Sequence, residues 1–202
     1  MRSCKVRTRQ KRVVFLKIGV QKAYDSVSWA FLWEVLLRKG FDDQRVTRVM
    51  HIVSCGRSVA NINGETGPYF CTLCGFRQGD PFSPFSFNIV VDALATILDK
   101  AKAASHIHRV VTHLVGGGIS LLHYADDIII MVEGCEDDII NLKFPVLYFQ
   151  QISGLKINFE KSEVMILGYS PNEAQIIDDR LNCKLGYFYS LHETLHHEIT
   201  NY

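Results

Sequence analysis

The stretch that decides the fold is residues 119–132, where Tyr124-Ala125-Asp126-Asp127 joins two apolar segments, 119–123 and 128–132. Short apolar runs on both sides of a tight turn predict an antiparallel hairpin. Two adjacent carboxylates suit such a turn poorly unless a cation neutralises them. Hard divalent cations such as Mg²⁺ take carboxylate oxygens as ligands. The hairpin therefore predicts either a metal-binding tip or a solvated turn that simply favours Asp.

Strand and helix patterns alternate on either side of this hairpin. Further strands are predicted within residues 13–20, 57–62, 69–73 and 156–167, and Asn63-Gly64 favours a two-residue hairpin turn. Helices are predicted from the N-cap Ser28 through residue 39, from the N-cap Asp42 through residue 54, and at 81–103, 136–153 and 172–184. Pro145 should kink the fourth of these helices or cost it about 3 kcal/mol. Helices interleaved with antiparallel hairpins predict an α+β fold.

The composition is that of an ordinary folded protein, with 202 residues, 48% hydrophobic, 21% charged and a net charge of +1. These values exclude a chain that is charged and disordered throughout, a collagen-like fibre and a disulfide miniprotein. The longest uninterrupted apolar runs are too short to span a bilayer, so no membrane partner is expected. Six of the 22 basic residues lie within residues 1–12. We predict a basic, disordered N-terminal segment at 1–12, one folded domain at 13–188 and a divergent tail at 189–202.

The cysteines and the N-terminus favour an intracellular protein that is not secreted. The six cysteines are scattered, and the first apolar stretch is interrupted by Lys17 and lacks a cleavage site. Cys71-x-x-Cys74 has the spacing of half a zinc site, but no second pair at matching spacing completes it. Reduced thiols are the simpler interpretation.

Four sequence boxes follow one another along the chain. They are Lys22-Ala23-Tyr24-Asp25-Ser26-Val27, then residues 77–88 beginning Arg77-Gln78-Gly79-Asp80, then Tyr124-Ala125-Asp126-Asp127, then Gly154-Leu155-Lys156-Ile157-Asn158-Phe159-Glu160-Lys161-Ser162. In order and spacing this set resembles the reverse transcriptases of non-LTR (LINE-type) retrotransposons, and the wording is most similar to plant elements. The resemblance covers about residues 1–188.

The resemblance implies a reverse-transcriptase palm, an antiparallel sheet with helices packed on one face, with the fingers and thumb largely missing. It implies RNA-templated DNA synthesis with two Mg²⁺ ions, and an RNA template, a DNA primer and dNTPs as partners. Asp126 and Asp127 would be catalytic metal ligands, and Lys161 would protonate the pyrophosphate leaving group. Tyr24 would exclude a ribose 2′-hydroxyl by sterics, while Gln78 and Gly79 would line the incoming nucleotide and template.

One position departs from the family pattern at the chemical centre. The family's first box reads roughly Lys-Leu-Asp-Phe-Glu-Lys-Ala-Tyr-Asp, whereas this chain has Lys17-Ile18-Gly19-Val20-Gln21-Lys22-Ala23-Tyr24-Asp25. Gly19 thus replaces the first metal-binding aspartate, which bridges both ions in the family. Because metal positioning supplies several kcal/mol of transition-state stabilisation, we expect catalysis to fall by several orders of magnitude. The sequence predicts a truncated, degenerate and catalytically impaired domain.

Two other functions fit parts of the sequence. The basic segment 1–12 could contact phosphates, which would make the chain a non-catalytic nucleic-acid-binding remnant. His192-Glu193-Thr194-Leu195-His196 matches the zincin motif, in which both histidines bind zinc and Glu193 acts as general base. A chance match in the tail is the simpler interpretation of this metalloprotease motif.

Overall fold

The computed structural model describes residues 12–107, 121–124, 127–133, 136–181 and 183–186. The strands in these ranges are β1 (Val13–Ile18), β2 (Val20–Gln21), β3 (Arg57–Ile62), β4 (Glu65–Cys71), β5 (Leu121–Tyr124), β6 (Asp127–Glu133), β7 (Lys156–Ile157), β8 (Glu163–Leu167) and β9 (Lys184–Leu185). The helices are α1 (Ala23–Ser26), α2 (Trp29–Arg38), α3 (Asp43–Ser54), α4 (Phe82–Ala103), α5 (Glu136–Ser153) and α6 (Pro171–Leu181). A turn of 3-10 helix, Phe159–Lys161, lies between β7 and β8.

The predicted ends of the first two long helices are confirmed by their capping bonds. The Ser28 hydroxyl accepts the Phe31 N–H at 3.4 Å, and an Asp42 carboxylate oxygen accepts the Arg45 N–H at 2.8 Å. Each bond satisfies an N–H that has no partner inside the helix. Gly40 follows α2 with φ +85°, a conformation that favours glycine. The last helix ends at Leu181, earlier than the predicted residue 184, and Lys184 lies in β9 instead.

The Asn63-Gly64 hairpin is confirmed, and its second strand starts earlier than the sequence predicts. Asn63 and Gly64 have φ of 55° and 89°, as a two-residue turn with two left-handed positions requires. The Asn61 side-chain oxygen also accepts the Gly64 N–H at 3.0 Å. β4 therefore begins directly after the turn, and β3 and β4 form a separate two-stranded sheet.

The main sheet has the strand order β5-β6-β1-β8-β9 and is antiparallel except for the short β8–β9 pair. Alternation along the strands directs one set of residues into the main core beneath the helices, namely Val14, Leu16, Ile18, Ile128, Ile130 and Val132. The intervening set, Val13, Phe15, Ile129 and Met131, forms a smaller apolar cluster on the opposite face. The predicted α+β palm, an antiparallel sheet with helices on one face, is confirmed.

Helix α4 is the core helix of this layer. Its 22 residues are long and apolar enough, by length and composition alone, to cross a membrane. The helix interleaves polar residues with apolar ones, so the sequence shows no uninterrupted run of that length. Phe87, Val90, Leu94 and Leu98 are fully buried, and the helix packs against α2 and α5. Its apolar character is therefore that of a helix inside a folded domain.

Helix α5 continues through Pro145, where the sequence predicts a kink or a stability cost. Proline supplies no N–H to the carbonyl of Asn141, four residues earlier. The neighbouring residues Leu142, Val146 and Phe149 are almost completely buried. Tertiary packing of this face therefore keeps the helix in one piece across its weakest point.

Candidate active site

Strands β1 and β6 bring the first and third sequence boxes together at one end of the sheet. Their register pairs Lys17 with Ile129 and Ile18 with Ile128, so the next positions in register are Gly19 and Asp127. Asp126 lies outside the described residues, and its assignment as a metal ligand stays a prediction. The position that carries a carboxylate in the family pattern thus lies across from the carboxylate hairpin, but it holds a glycine.

Asp127 has a fixed cationic neighbour on β1. The Lys17 ammonium nitrogen lies 3.2 Å from an Asp127 carboxylate oxygen, and both side chains are largely shielded from water, with exposures of 19% and 28%. Partial burial strengthens such a pair because solvent and salt screen it less. Sequence reasoning missed the pairing of Lys17. The sequence signal that could have found this pairing is the two-residue period of a strand, which places Lys17 and Gly19 on the same face of the sheet.

Tyr24 is held in place by a helix and a loop from the second box. Its ring stacks on Phe87 of α4 with centroids 5.0 Å apart, and Phe87 in turn lies 5.6 Å from the His123 ring of β5. The Tyr24 carbonyl also accepts the Phe76 N–H at 2.6 Å. This aromatic series joins α1 to the strand that leads into the carboxylate hairpin. Sequence reasoning identified Tyr24 but not its stacking on Phe87 or the contact from Phe87 to His123.

The loop that leads into the second box is fastened at several points to the first box and to the start of α2. The Gly75 N–H donates to the Val27 carbonyl at 2.8 Å, and the Trp29 indole N–H donates to the Gly75 carbonyl at 2.7 Å. The Gln78 amide lies 3.5 Å from an Asp25 carboxylate oxygen, at the outer limit of a hydrogen bond.

Gly79, the next residue of this loop, has φ +84° and open space where a side chain would begin. Both conditions suit a close approach of ligand to backbone. The fastened loop therefore brings Tyr24, Gln78 and Gly79, which the sequence assigned to one nucleotide site, into neighbouring segments.

Lys161 lies at the end of β1, next to residue 19. A Cβ placed on Gly19 would be 3.1 Å from the Lys161 Cβ and 3.3 Å from its carbonyl carbon and oxygen. The short strands β2 and β7 pair alongside, with Val20 opposite Ile157. The structure thus places Lys161, Gly19 and Asp127 at the same end of the sheet, as the family resemblance implies for the first, third and fourth boxes.

The described side chains do not assemble a metal centre. Within the described ranges no group of three or more His, Cys, Asp or Glu side chains could hold a metal ion. At the sheet end, Gly19 offers no ligand and Asp127 is paired with Lys17. A pair of Mg²⁺ ions needs several carboxylate oxygens, and among the described residues at this end of the sheet Gly19 and Asp127 alone do not supply a two-ion centre.

The two zinc motifs have different outcomes. Cys71 and Cys74 are exposed free thiols, and no metal-binding group includes them in the part of the chain that the structure describes. His192 and His196 lie outside the described residues, and the zincin motif stays a prediction.

A sheet whose central strand β1 lies beside the strand that begins at Asp127 is the palm arrangement that the resemblance to reverse transcriptases predicts. The profile of the family "Reverse transcriptase (RNA-dependent DNA polymerase)" matches residues 1–189, and the chain belongs to this family. The division at residues 12 and 188 stays a prediction, since residues 1–11 and 187–202 lie outside the described ranges.

Curated relatives confirm the resemblance to non-LTR retrotransposons. The Pol polyprotein of the type-2 retrotransposable element R2DM of Drosophila melanogaster is 29% identical over 144 residues, covering 71% of this chain and 13% of the relative. The Pol polyprotein of a type-1 retrotransposable element R2 of Popillia japonica is 27% identical over 165 residues, covering 77% of this chain and 21% of the relative. The chain therefore spans only a small part of these polyproteins.

Two solved structures with a similar fold are telomerase structures. Telomerase of Candida tropicalis in complex with a fragment of telomeric RNA matches with a TM-score of 0.59 and 13% identity, over 80% of this chain and 27% of that chain. The apo form, truncated from its C-terminal domain, matches with a TM-score of 0.58 and 15% identity, over 83% and 33% of the two chains. At this level of identity the likeness supports the palm fold alone.

Proposed function

We propose that the chain is the palm of an RNA-directed DNA polymerase that retains its nucleotide and template elements but catalyses DNA synthesis at a strongly reduced rate. One observation carries the proposal. Continued by one position past the Ile18–Ile128 pair, the β1–β6 register sets position 19 against Asp127, and this position holds glycine. The carboxylate is therefore absent at the position where a bridging metal ligand would be needed.

The charge at the sheet end supports the same proposal. Two Mg²⁺ ions carry four positive charges, and they clamp the attacking and leaving oxygens of a phosphoryl transfer only when anionic oxygens hold them. Here Lys17 lies 3.2 Å from the Asp127 carboxylate and already offsets its charge. Removing the carboxylate at position 19 from such a site leaves too little negative charge for two ions. A loss of about 4 kcal/mol in transition-state stabilisation corresponds to roughly a thousandfold slower reaction.

The residues that the family resemblance assigns to substrate binding support the retained part of the proposal. Tyr24 would lie under the sugar of a dNTP, since its ring is fixed against Phe87. Gln78 and Gly79 would line the nucleotide and the template, because their loop is fastened to the first box and exposed at Gly79. Lys161 would contact the leaving pyrophosphate and stabilise its developing charge. An RNA template paired with a DNA primer is the partner that this set of roles requires.

Single-nucleotide extension of a DNA primer on an RNA template, with Mg²⁺ and the 202-residue chain, tests the proposal. Anisotropy of a labelled primer–template should report binding that weakens with salt, as phosphate contacts require. The rate of extension by the same sample should be about a thousandth or less of an ordinary enzyme turnover, which is on the order of 1–1000 per second. Robust extension would disprove the impairment, and the absence of primer–template binding would disprove the retained polymerase role.

A further inference from the structure

The backbone of Gly19 is hydrogen-bonded on both sides to the turn that carries Lys161. Its N–H donates to the Ser162 hydroxyl at 3.1 Å, and its carbonyl accepts the Asn158 N–H at 2.8 Å. The two partners flank the 3-10 turn Phe159–Lys161. These two bonds join the end of β1 to the Lys161 turn, although Gly19 and Ser162 are 143 positions apart in the sequence.

Ser162 is the centre of this junction. Its side chain is completely buried, and its hydroxyl accepts the Gly19 N–H while donating to the Asn158 carbonyl at 2.8 Å. The Asn158 side-chain oxygen closes the turn from the other end by accepting the Lys161 N–H at 3.2 Å. A single 3-10 turn has poor hydrogen-bond geometry of its own. The turn's own bonds run from the Lys161 and Ser162 N–H groups to the Asn158 carbonyl at 3.1 and 3.0 Å, and the Ser162 hydroxyl adds the link from this turn to Gly19.

We propose that Ser162 is the positioning residue for Lys161. Its hydroxyl holds the Lys161 turn against the end of β1, so that the Lys161 side chain begins beside residue 19. The role of Lys161 toward pyrophosphate rests on the proposed function, whereas the placement of Lys161 by Ser162 does not. The two segments also lie close together, because a Cβ placed on residue 19 would be 3.1 Å from the Lys161 Cβ.

The test uses the full chain with its lysines dimethylated by ¹³C-formaldehyde, and Lys161→Arg identifies the Lys161 methyl resonance. Ser162→Thr and Ser162→Val form an isosteric pair in which only Thr keeps the hydroxyl. Ser153→Ala is the matched control, since Ser153 is also completely buried and its hydroxyl accepts only the local Leu155 N–H at 3.2 Å. Amide hydrogen exchange of Lys161 is measured alongside, with Leu94 of α4 as the reference for global unfolding.

Loss of the hydroxyl should raise exchange at the Lys161 amide at least tenfold relative to Leu94 and shift its methyl resonance. Ser162→Thr should restore both values, and Ser153→Ala should leave both unchanged. The proposal is overturned when Ser162→Val behaves like Ser162→Thr, or when Ser153→Ala produces the same change at Lys161.

A second variant keeps the test independent of substitutions at Ser162. Gly19→Ala should shift the Lys161 resonance through direct contact, whereas Gly40→Ala, with open space around its Cβ, should leave that resonance unchanged. An unchanged resonance in Gly19→Ala would contradict the placement of the Lys161 turn.

Titration with inorganic pyrophosphate separates this proposal from the proposed function. Pyrophosphate should shift the Lys161 resonance of the unsubstituted chain, and Ser162→Val should weaken that binding at least fivefold. A Lys161 resonance that ignores pyrophosphate, together with the exchange changes above, would count against the polymerase role while supporting Ser162 as the positioning residue.

Discussion

Replacement of Gly75 by Ala tests the junction between the first and second boxes. Gly75 has φ +81°, and a Cβ there would lie 2.5 Å from the Asp25 carbonyl oxygen and 2.6 Å from its carbon. The left-handed backbone costs a residue with a Cβ roughly 1–2 kcal/mol. The clash must also separate the two segments, which breaks the bonds from Gly75 to Val27 and from Trp29 to Gly75, at about 1 kcal/mol each. We therefore expect a loss of about 3–4 kcal/mol.

Gly40→Ala is the matched control for this prediction. Gly40 has a similar φ of +85°, but nothing lies within 4 Å of its Cβ position, so only the backbone cost of about 1–2 kcal/mol applies. Urea unfolding followed by tryptophan fluorescence compares the two variants, and the Trp29 indole reports directly on the Gly75 contact. Gly75→Ala should be less stable than Gly40→Ala by about 2 kcal/mol. Equal losses in the two variants would refute the fastening of the second box to the first.

Two further predictions concern the helices. Pro145→Ala should raise the free energy of unfolding by about 1–3 kcal/mol in urea titrations, because alanine supplies the N–H that proline cannot donate to the Asn141 carbonyl. A lower free energy of unfolding would show that the packing of Pro145 outweighs this hydrogen bond. The pKa of Glu173 lies below its ordinary value of 4.5, first because the Ser170 N–H and hydroxyl donate to its carboxylate and then because Arg12 lies beside it. The stabilising contribution of the Glu173 carboxylate is therefore present above pH 4.5 and is lost as the pH falls through the lower folded-state pKa. The Tm of the unsubstituted chain should fall below pH 4.5 relative to the Tm of Glu173→Gln. Tm curves that stay parallel for the two proteins would contradict this prediction.

Local signals in the sequence predicted most of the elements. Ser28 and Asp42 cap helices through bonds to residues three positions later, and Asn63-Gly64 sets its own turn. Such features depend on neighbours in the chain, so a single sequence is enough to find them. Pro145 is the opposite case, since burial of its neighbours decides whether the helix continues.

The sequence predicted which segments form the candidate site, but it did not predict the contacts between the residues of those segments. The Lys17–Asp127 ion pair depends on the register between two strands more than a hundred residues apart. The link from Gly19 to Ser162 depends in the same way on tertiary packing. No propensity or spacing rule ranks one buried serine above another. The structure was needed to show that the glycine at position 19 is bonded into the turn that carries Lys161.

The most direct test of the central claim is Mn²⁺ binding, followed by electron paramagnetic resonance, in the unsubstituted chain and in Gly19→Asp. Asn61→Asp is the control, because it adds one carboxylate on the separate β3–β4 hairpin. If the missing carboxylate at position 19 impairs the metal site, Gly19→Asp should lower the Kd for Mn²⁺ at least tenfold, or about 1.4 kcal/mol, while Asn61→Asp leaves it unchanged. An unsubstituted chain that binds Mn²⁺ as tightly as Gly19→Asp would contradict the account.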